Sequence, residues 1–258
     1  VDDYARHRPG YPAGLIAVLR DALGLAPRHT VADVGSGTGK LAELFLDHGN
    51  EVVGVEPNAE MRAAGDRQLA ARAGFRSVEG RAEATGLDDA SVDLVVAGQA
   101  FHWFDPTAAR AEFLRISRRP ARAALVWNDR RHDATPFMAD YEALVAQHGT
   151  DYGAVRHDHV DPDTIRGFFA GAAGACCWRL DELPLRQPLD ERGFLGRLFS
   201  SSYLPAADDP GGEPLRRAAV ELFRRHRRDG VVVVEYTTRI YSGRLERRVE
   251  RPVGPRGG

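Results

Sequence analysis

Residues 31–39 read Val-Ala-Asp-Val-Gly-Ser-Gly-Thr-Gly, an apolar run that ends on alternating glycines. The pattern predicts a buried strand, a tight turn and the start of a helix. Gly35, Gly37 and Gly39 carry no Cβ, so the chain can turn sharply there and let a ligand touch its backbone. Lys40 to Asp47 continues with Leu41, Leu44 and Phe45 on one helical face and Gly49 as a stop. The unpaired N–H groups at that helix start favour an anionic ligand group. A second apolar run, Glu51 to Val55, closes on Glu56. One helix and one strand beyond the glycines, that acid falls at the tip of the neighbouring strand, in reach of ribose hydroxyls.

Three ligand classes compete for such a loop. A dinucleotide loop, G-x-G-x-x-G, needs a glycine where Lys40 stands. A P-loop needs a glycine at Val34 and a hydroxyl at Leu41. Asp33 decides between them. A carboxylate just before the turn repels a pyrophosphate but suits an ammonium group. S-adenosylmethionine (SAM) carries an ammonium, a sulfonium and a ribose diol, and no phosphate, so it fits D-x-G-x-G-x-G followed by a strand-terminal acid.

The segment resembles motif I of class I SAM-dependent methyltransferases, and further matches follow in order. Gly80-Arg81-Ala82-Glu83-Ala84 with Leu87 resembles the loop after the third strand, where the family places a carboxylate against the adenine amino group. Ser91 to Val96 resembles the fourth strand. Gln99 to Asp105 resembles a signature of the small-molecule, trans-aconitate-like (methyltransferase type 11) subgroup, as do Tyr4 to Pro12 and, near the end, Tyr236 to Leu245. The resemblance implies an α/β, Rossmann-like fold. Its seven-stranded, mostly parallel sheet has helices on both faces and a helical insertion over the C-terminal strand ends. The whole of 1–258 is expected to form one domain, with 1–12 as an arm and 133–172 as a substrate-covering insertion.

The expected cofactor contacts are Asp33, Gly35, Ser36, Gly37, Thr38, Glu56, Pro57, Met61, Ala82, Glu83, Gln99 and Phe101. Met61 either packs on the adenine edge or is a core methionine. Glu83 is otherwise a solvated loop acid. The rings of Phe101, His102, Trp103 and Phe104 follow the fourth strand directly. They either cage a sulfonium or, for the phenylalanines, enter the core. His102 is the candidate general base if the acceptor is a hydroxyl or amine. Tyr4, Arg8 and Tyr11 either fold over the ligands or dock the arm, and Trp127 and Asn128 end the fifth strand beside the acceptor. Asn128 equally suits a turn.

The periodicity predicts strands near 31–34, 51–55, 75–79, 91–97, 122–127, 175–186 and 231–241. Helices are expected near 13–23, 40–48, 58–73, 106–117, 190–199 and 215–227. A chain of 258 residues buries roughly three quarters of its extended surface, enough to fold without a metal or disulfide staple. The net charge of −2 argues against a nucleic-acid binder. No apolar run approaches a membrane span. His157-Asp158-His159 with Asp161 and Asp163 has metal-ligand types but loop spacing, so no metal is expected. The arginines of 215–228 read as the solvated side of an amphipathic helix. Adjacent Cys176 and Cys177 do not favour an internal disulfide. With no secretory signal ahead of the arm, a cytoplasmic, small-molecule methyltransferase is the expectation. A SAM- or SAH-binding module without turnover is the alternative, and a nucleotide-dependent oxidoreductase a third.

Overall fold

The computed structural model describes residues 7–149, 161–170, 178–201, 203–206 and 209–246. Seven strands form one sheet: β1 (Thr30–Val34), β2 (Glu51–Val55), β3 (Phe75–Val78), β4 (Leu94–Gly98), β5 (Ala121–Arg130), β6 (Trp178–Leu189) and β7 (Val232–Leu245). Their order is β3-β2-β1-β4-β5-β7-β6, with β7 alone antiparallel to its neighbours on both sides. The sheet is therefore mostly parallel, as the alternation of elements predicts. The order reverses between β1 and β4, and in such sheets the crevice beyond the strand ends at that point receives the ligand.

The central strands are apolar on both faces because both are covered. One face packs Val31, Val52, Leu94, Val96 and Val126 against α1 (Gly14–Leu23) and α2 (Lys40–Asp47). The other packs Ala32, Val53, Val95, Ala97 and Leu125 against α4 (Pro106–Ile116). Between β2 and β3 lies α3 (Ala59–Leu69). Asn58 caps its start, accepting from the Glu60 and Met61 amides. Asp105 caps α4 in the same way, with Pro106 in the first turn.

Some expected boundaries move. Helix α3 ends at Leu69 rather than 73, because the chain turns back and the Gly74 carbonyl accepts the Val52 amide. Strand β4 starts at Leu94 rather than 91, since Val92 makes only an isolated bridge to Ser117 and the Asp93 carboxylate takes the Thr30 amide. The edge strand β6 holds Pro184 and Pro188, which an edge tolerates because it has one partner only.

Within 133–172, the described part holds α5 (Pro136–His148) and α6 (Pro162–Phe169). They belong to different cores. Helix α6 gives Ile165, Phe168 and Phe169 to the main core beside α4. Helix α5 joins α7 (Glu191–Phe199) and α8 (Gly212–His226) in a second core on the far ends of β6 and β7. Helix α8 starts at Gly212, ahead of the expected Leu215, and buries Leu215, Ala219, Leu222 and Phe223 as its periodicity predicts. Residues 157–160, the adjacent cysteines and Tyr4 lie outside the described residues.

Candidate active site

The glycine loop is fixed to the end of β2. The amides of Gly35 and Ser36 both donate to the Val55 carbonyl, at 2.8 and 3.2 Å. At Gly35 the backbone has φ +72°, and a Cβ there would lie 2.5 Å from the Ala100 Cβ. Glycine is thus required twice, by conformation and by contact with the chain after β4. Gly37 donates its amide to Glu56 Oε2 at 2.8 Å, while Glu56 Oε1 accepts the Asn58 amide at 2.9 Å. Arg62 holds the Glu56 carbonyl at 2.9 Å. Glu56 is therefore clamped between the loop and the start of α3, and it is buried. Each carboxylate oxygen retains a second lone pair for a ligand hydroxyl. Ser36, Thr38 and Met61 share this corner, with the Met61 methyl 3.5 Å from where a Gly37 Cβ would sit. Pro57 is exposed beside it. No side chain caps α2 at Gly39, so the Lys40 and Leu41 amides face the loop, while the Ala42 amide lies near the Asp33 carboxylate.

Asp33 is 1% exposed, and neither carboxylate oxygen has a hydrogen-bond partner among the described residues. Burial pushes its carboxyl up to about 7, only partly opposed by the nearby Ala42 amide and reinforced by the Glu56 charge. A buried acid without a donor is unfavourable unless something else supplies one.

The chain after β3 is held from α4. Glu112 accepts from both the amide and the hydroxyl of Thr85, at 2.8 and 2.6 Å, and pairs with Arg115 at 2.7 Å. Arg115 also donates to the Leu87 carbonyl. Burial raises the Glu112 carboxyl, but the hydrogen bonds from Arg115 and Thr85 outweigh it and hold it at about 2. This clasp fixes Ala82, which is buried, and Glu83, whose Oε1 accepts the Asp105 amide at 2.8 Å. Sequence reasoning missed the clasp, because its partners are 27 residues apart and no local pattern joins them.

Directly after β4, Gln99 adopts φ +57°, a conformation rare for a side-chain-bearing residue; its backbone amide donates to the Val126 carbonyl at 2.8 Å and its side-chain Nε2 to the Asn128 carbonyl at 3.3 Å. Phe101 to Trp103 form a short 3-10 turn. Phe101 is 1% exposed and packs edge-on against Phe104, Trp127 and Phe168, so its ring belongs to the core. His102 is half-buried, with its ring 4.9 Å from that of Trp103. Trp103 itself is 77% exposed.

From His7 onward the arm crosses the strand ends. The His7 carbonyl accepts from Gln187, Arg8 donates to the Ser200 carbonyl at 3.2 Å, and the Gly10 carbonyl accepts from Asn128 at 2.9 Å. Tyr11 lays its ring end against Gly98, where a Cβ would lie 2.4 Å from its hydroxyl. Asn128 also accepts from the Thr238 hydroxyl at 2.7 Å. Its side chain thus ties arm and β7 to β5. Trp127 is buried between Phe101 and Tyr241. Among the described residues, no three His, Cys, Asp or Glu side chains are grouped to hold a metal ion, and no helix is long and apolar enough to cross a membrane.

Residues 32–124 match a family model described as a methyltransferase domain. An uncharacterised methyltransferase of Mycobacterium tuberculosis is 42% identical over 130 residues, which is 50% of this chain and 51% of that protein. An uncharacterised methyltransferase of Schizosaccharomyces pombe is 33% identical over 56% of this chain and 57% of its own. The chain spans about half the length of the curated relatives it matches. Among solved structures, one from Anaeromyxobacter dehalogenans, provisionally named a type II methyltransferase, superposes with a TM-score of 0.68 at 25% identity, covering 93% of this chain and 99% of its own. One from Anabaena variabilis, provisionally named a methyltransferase from an antibiotic biosynthesis pathway, gives 0.60 at 20% identity over 93% and 99% of the two chains. The glycine loop and its flanking strands therefore resemble a methyltransferase domain in sequence, on a fold shared with solved structures given that name.

Proposed function

We propose that this chain transfers a methyl group from S-adenosylmethionine to a small-molecule acceptor held over the carboxyl ends of β4 and β5. The observation that carries the reading is Asp33. Its buried carboxylate lacks a donor beneath a loop bolted to Glu56, and an ammonium group supplies what it lacks. The uncapped start of α2 faces the same loop and suits the carboxylate of that amino acid end. Glu56, fixed by Gly37 and Asn58, offers its remaining lone pairs to a ribose diol. Met61 and the clasped Ala82–Glu83 segment flank the position of the base. A phosphate-bearing cofactor suits this site poorly, because Asp33 and Glu56 both repel it.

SAM supplies an electrophilic methyl carbon on a sulfonium, ready for in-line displacement by an acceptor O, N, C or S. The residues align the reactants and keep water out, which in ideal cases lowers the barrier by roughly 7–11 kcal/mol. Gln99, held in its strained conformation by hydrogen bonds to the Val126 and Asn128 carbonyls, shapes the floor where the two meet. His102, on the turn that follows, takes the proton when the acceptor is a hydroxyl or amine.

Methyl transfer from labelled SAM to a panel of small acids, phenols and amines tests the reading. Label should enter at least one acceptor. His102→Ala should reduce turnover far more than SAM affinity, and wild-type turnover in that variant removes the base role.

A further inference from the structure

The second core holds a polar group that the methyl-transfer reading does not use. Arg197, on α7, is 6% exposed. Its Nε donates to the Tyr236 hydroxyl at 3.2 Å and its Nη1 to the Ser201 hydroxyl at 3.1 Å. Its Nη2 edge takes no hydrogen bond among the described residues, and no carboxylate pairs with it there. Among the described residues, the buried Arg110 and the largely covered Arg130 differ. Arg110 is held by three backbone carbonyls, and Arg130 pairs with Glu142 at 2.7 Å. A buried guanidinium facing only neutral groups is unfavourable, and an anion relieves it.

Three tyrosines surround it. Tyr141 is fully buried beneath Arg130, whose guanidinium carbon lies 4.7 Å from the ring centroid, and the Tyr141 hydroxyl has no hydrogen-bond partner among the described residues. Burial raises the Tyr203 hydroxyl, but Arg130, a hydrogen bond with Ser201 and Arg197 outweigh it and bring it below its ordinary value. Two guanidinium groups, Arg130 and Arg197, therefore act on the tyrosines. With Arg130 balanced by Glu142, the unmatched charge is that of Arg197.

The position relates the cluster to the reaction centre. Strand β5 outruns β4: its last β4 partner is Val126, whereas it continues to Arg130, which pairs with Tyr236. Asn128, whose carbonyl meets Gln99, lies on the same face as Arg130, two residues or about 7 Å earlier. That is one small-molecule length.

We propose that Arg197, Tyr141, Tyr203, Tyr236 and Ser201 form a subsite that grips a non-reacting carboxylate of the methyl acceptor. The inference rests on the methyl-transfer reading for the word acceptor, and on the unpaired Arg197 and Tyr141 groups for the carboxylate. The Nη2 edge and the Tyr141 hydroxyl donate to the carboxylate oxygens. The atom to be methylated then lies at the other end of the molecule, beside Gln99.

Calorimetry tests this with succinate, glutarate and benzoate titrated into SAH-loaded protein, alongside succinamide, glutaramide and benzamide. At least one carboxylate should bind saturably, and its amide about tenfold or more weakly. Arg197→Met should abolish that binding and leave SAH affinity unchanged. Tyr141→Phe should weaken the carboxylate severalfold without lowering Tm, because no protein hydrogen bond is lost. That variant decides the matter if Arg197→Met does not fold. A lowered Tm with unchanged carboxylate affinity marks a structural tyrosine and overturns the proposal, as does the absence of saturable carboxylate binding. The same titrations on SAH-free protein separate the two claims. Carboxylate binding without SAH binding contradicts methyl transfer alone, and SAH binding without carboxylate binding contradicts the subsite alone.

Discussion

Burying Asp33 at the end of β1 with no donor raises its carboxyl to about 7, above its unfolded value of 3.8. The folded chain therefore holds a proton that the unfolded chain releases. That contribution to stability is complete below about pH 4 and is lost as the pH climbs through 7. Asp33→Asn should accordingly raise Tm at pH 8, raise it less at pH 5 and change it little at pH 3.5. Ligand binding should run the other way. SAM affinity should rise about tenfold between pH 6 and 7.5 as Asp33 ionises, then fall as the ligand's own amino group, with a pKa of about 8, loses its proton. Affinity independent of pH between 6 and 7.5 removes Asp33 from the ammonium. Glu56→Ala should weaken SAM by roughly 1–3 kcal/mol, read by calorimetry, since it removes both the ribose acceptor and the anchor of Gly37. At this scale the sequence is legible where the site is continuous. Asp33, the glycines and Glu56 declare themselves by spacing. Asn128 does not, because the partners that occupy its side chain, Gly10 and Thr238, are more than a hundred residues away.

Elements were readable wherever their ends are written locally. Asn58 before α3 and Asp105-Pro106 at α4 are caps that any chain of this pattern would use. Boundaries set by tertiary contact were not, as at β4, which begins only where pairing with β1 does. The clasp of α4 on the loop after β3 belongs with the unreadable part. Its carboxylate is held at about 2, below its ordinary value of 4.5, so its contribution is present above pH 4.5 and fades as the pH falls toward 2. Glu112→Gln should lower Tm at pH 7, and the gap to the parent protein should close as the pH falls from 4.5. It should also weaken SAM through the loosened Ala82–Glu83 segment. A gap that persists unchanged at low pH means that the carboxylate charge is not what matters.

Across the whole molecule, one sheet is packed on both faces and carries a further core beyond them. The parallel half builds the cofactor corner, and the antiparallel β5–β7–β6 half extends past it to carry α5, α7 and α8. The arm spans both, fixed to Gln187, Ser200 and Asn128. The order of helices and strands foretold the parallel half, since each crossover must return to the same sheet. It did not foretell that α5 and α6 of the expected insertion separate into different cores, because an apolar helical face does not state which surface it will cover. Binding of SAM ties these observations together. Calorimetric titration of the metal-free protein with SAM and with SAH should give one site of micromolar affinity for each, abolished by Gly35→Ala, whose Cβ meets Ala100 in a left-handed conformation. A folded parent protein that binds neither ligand contradicts the account.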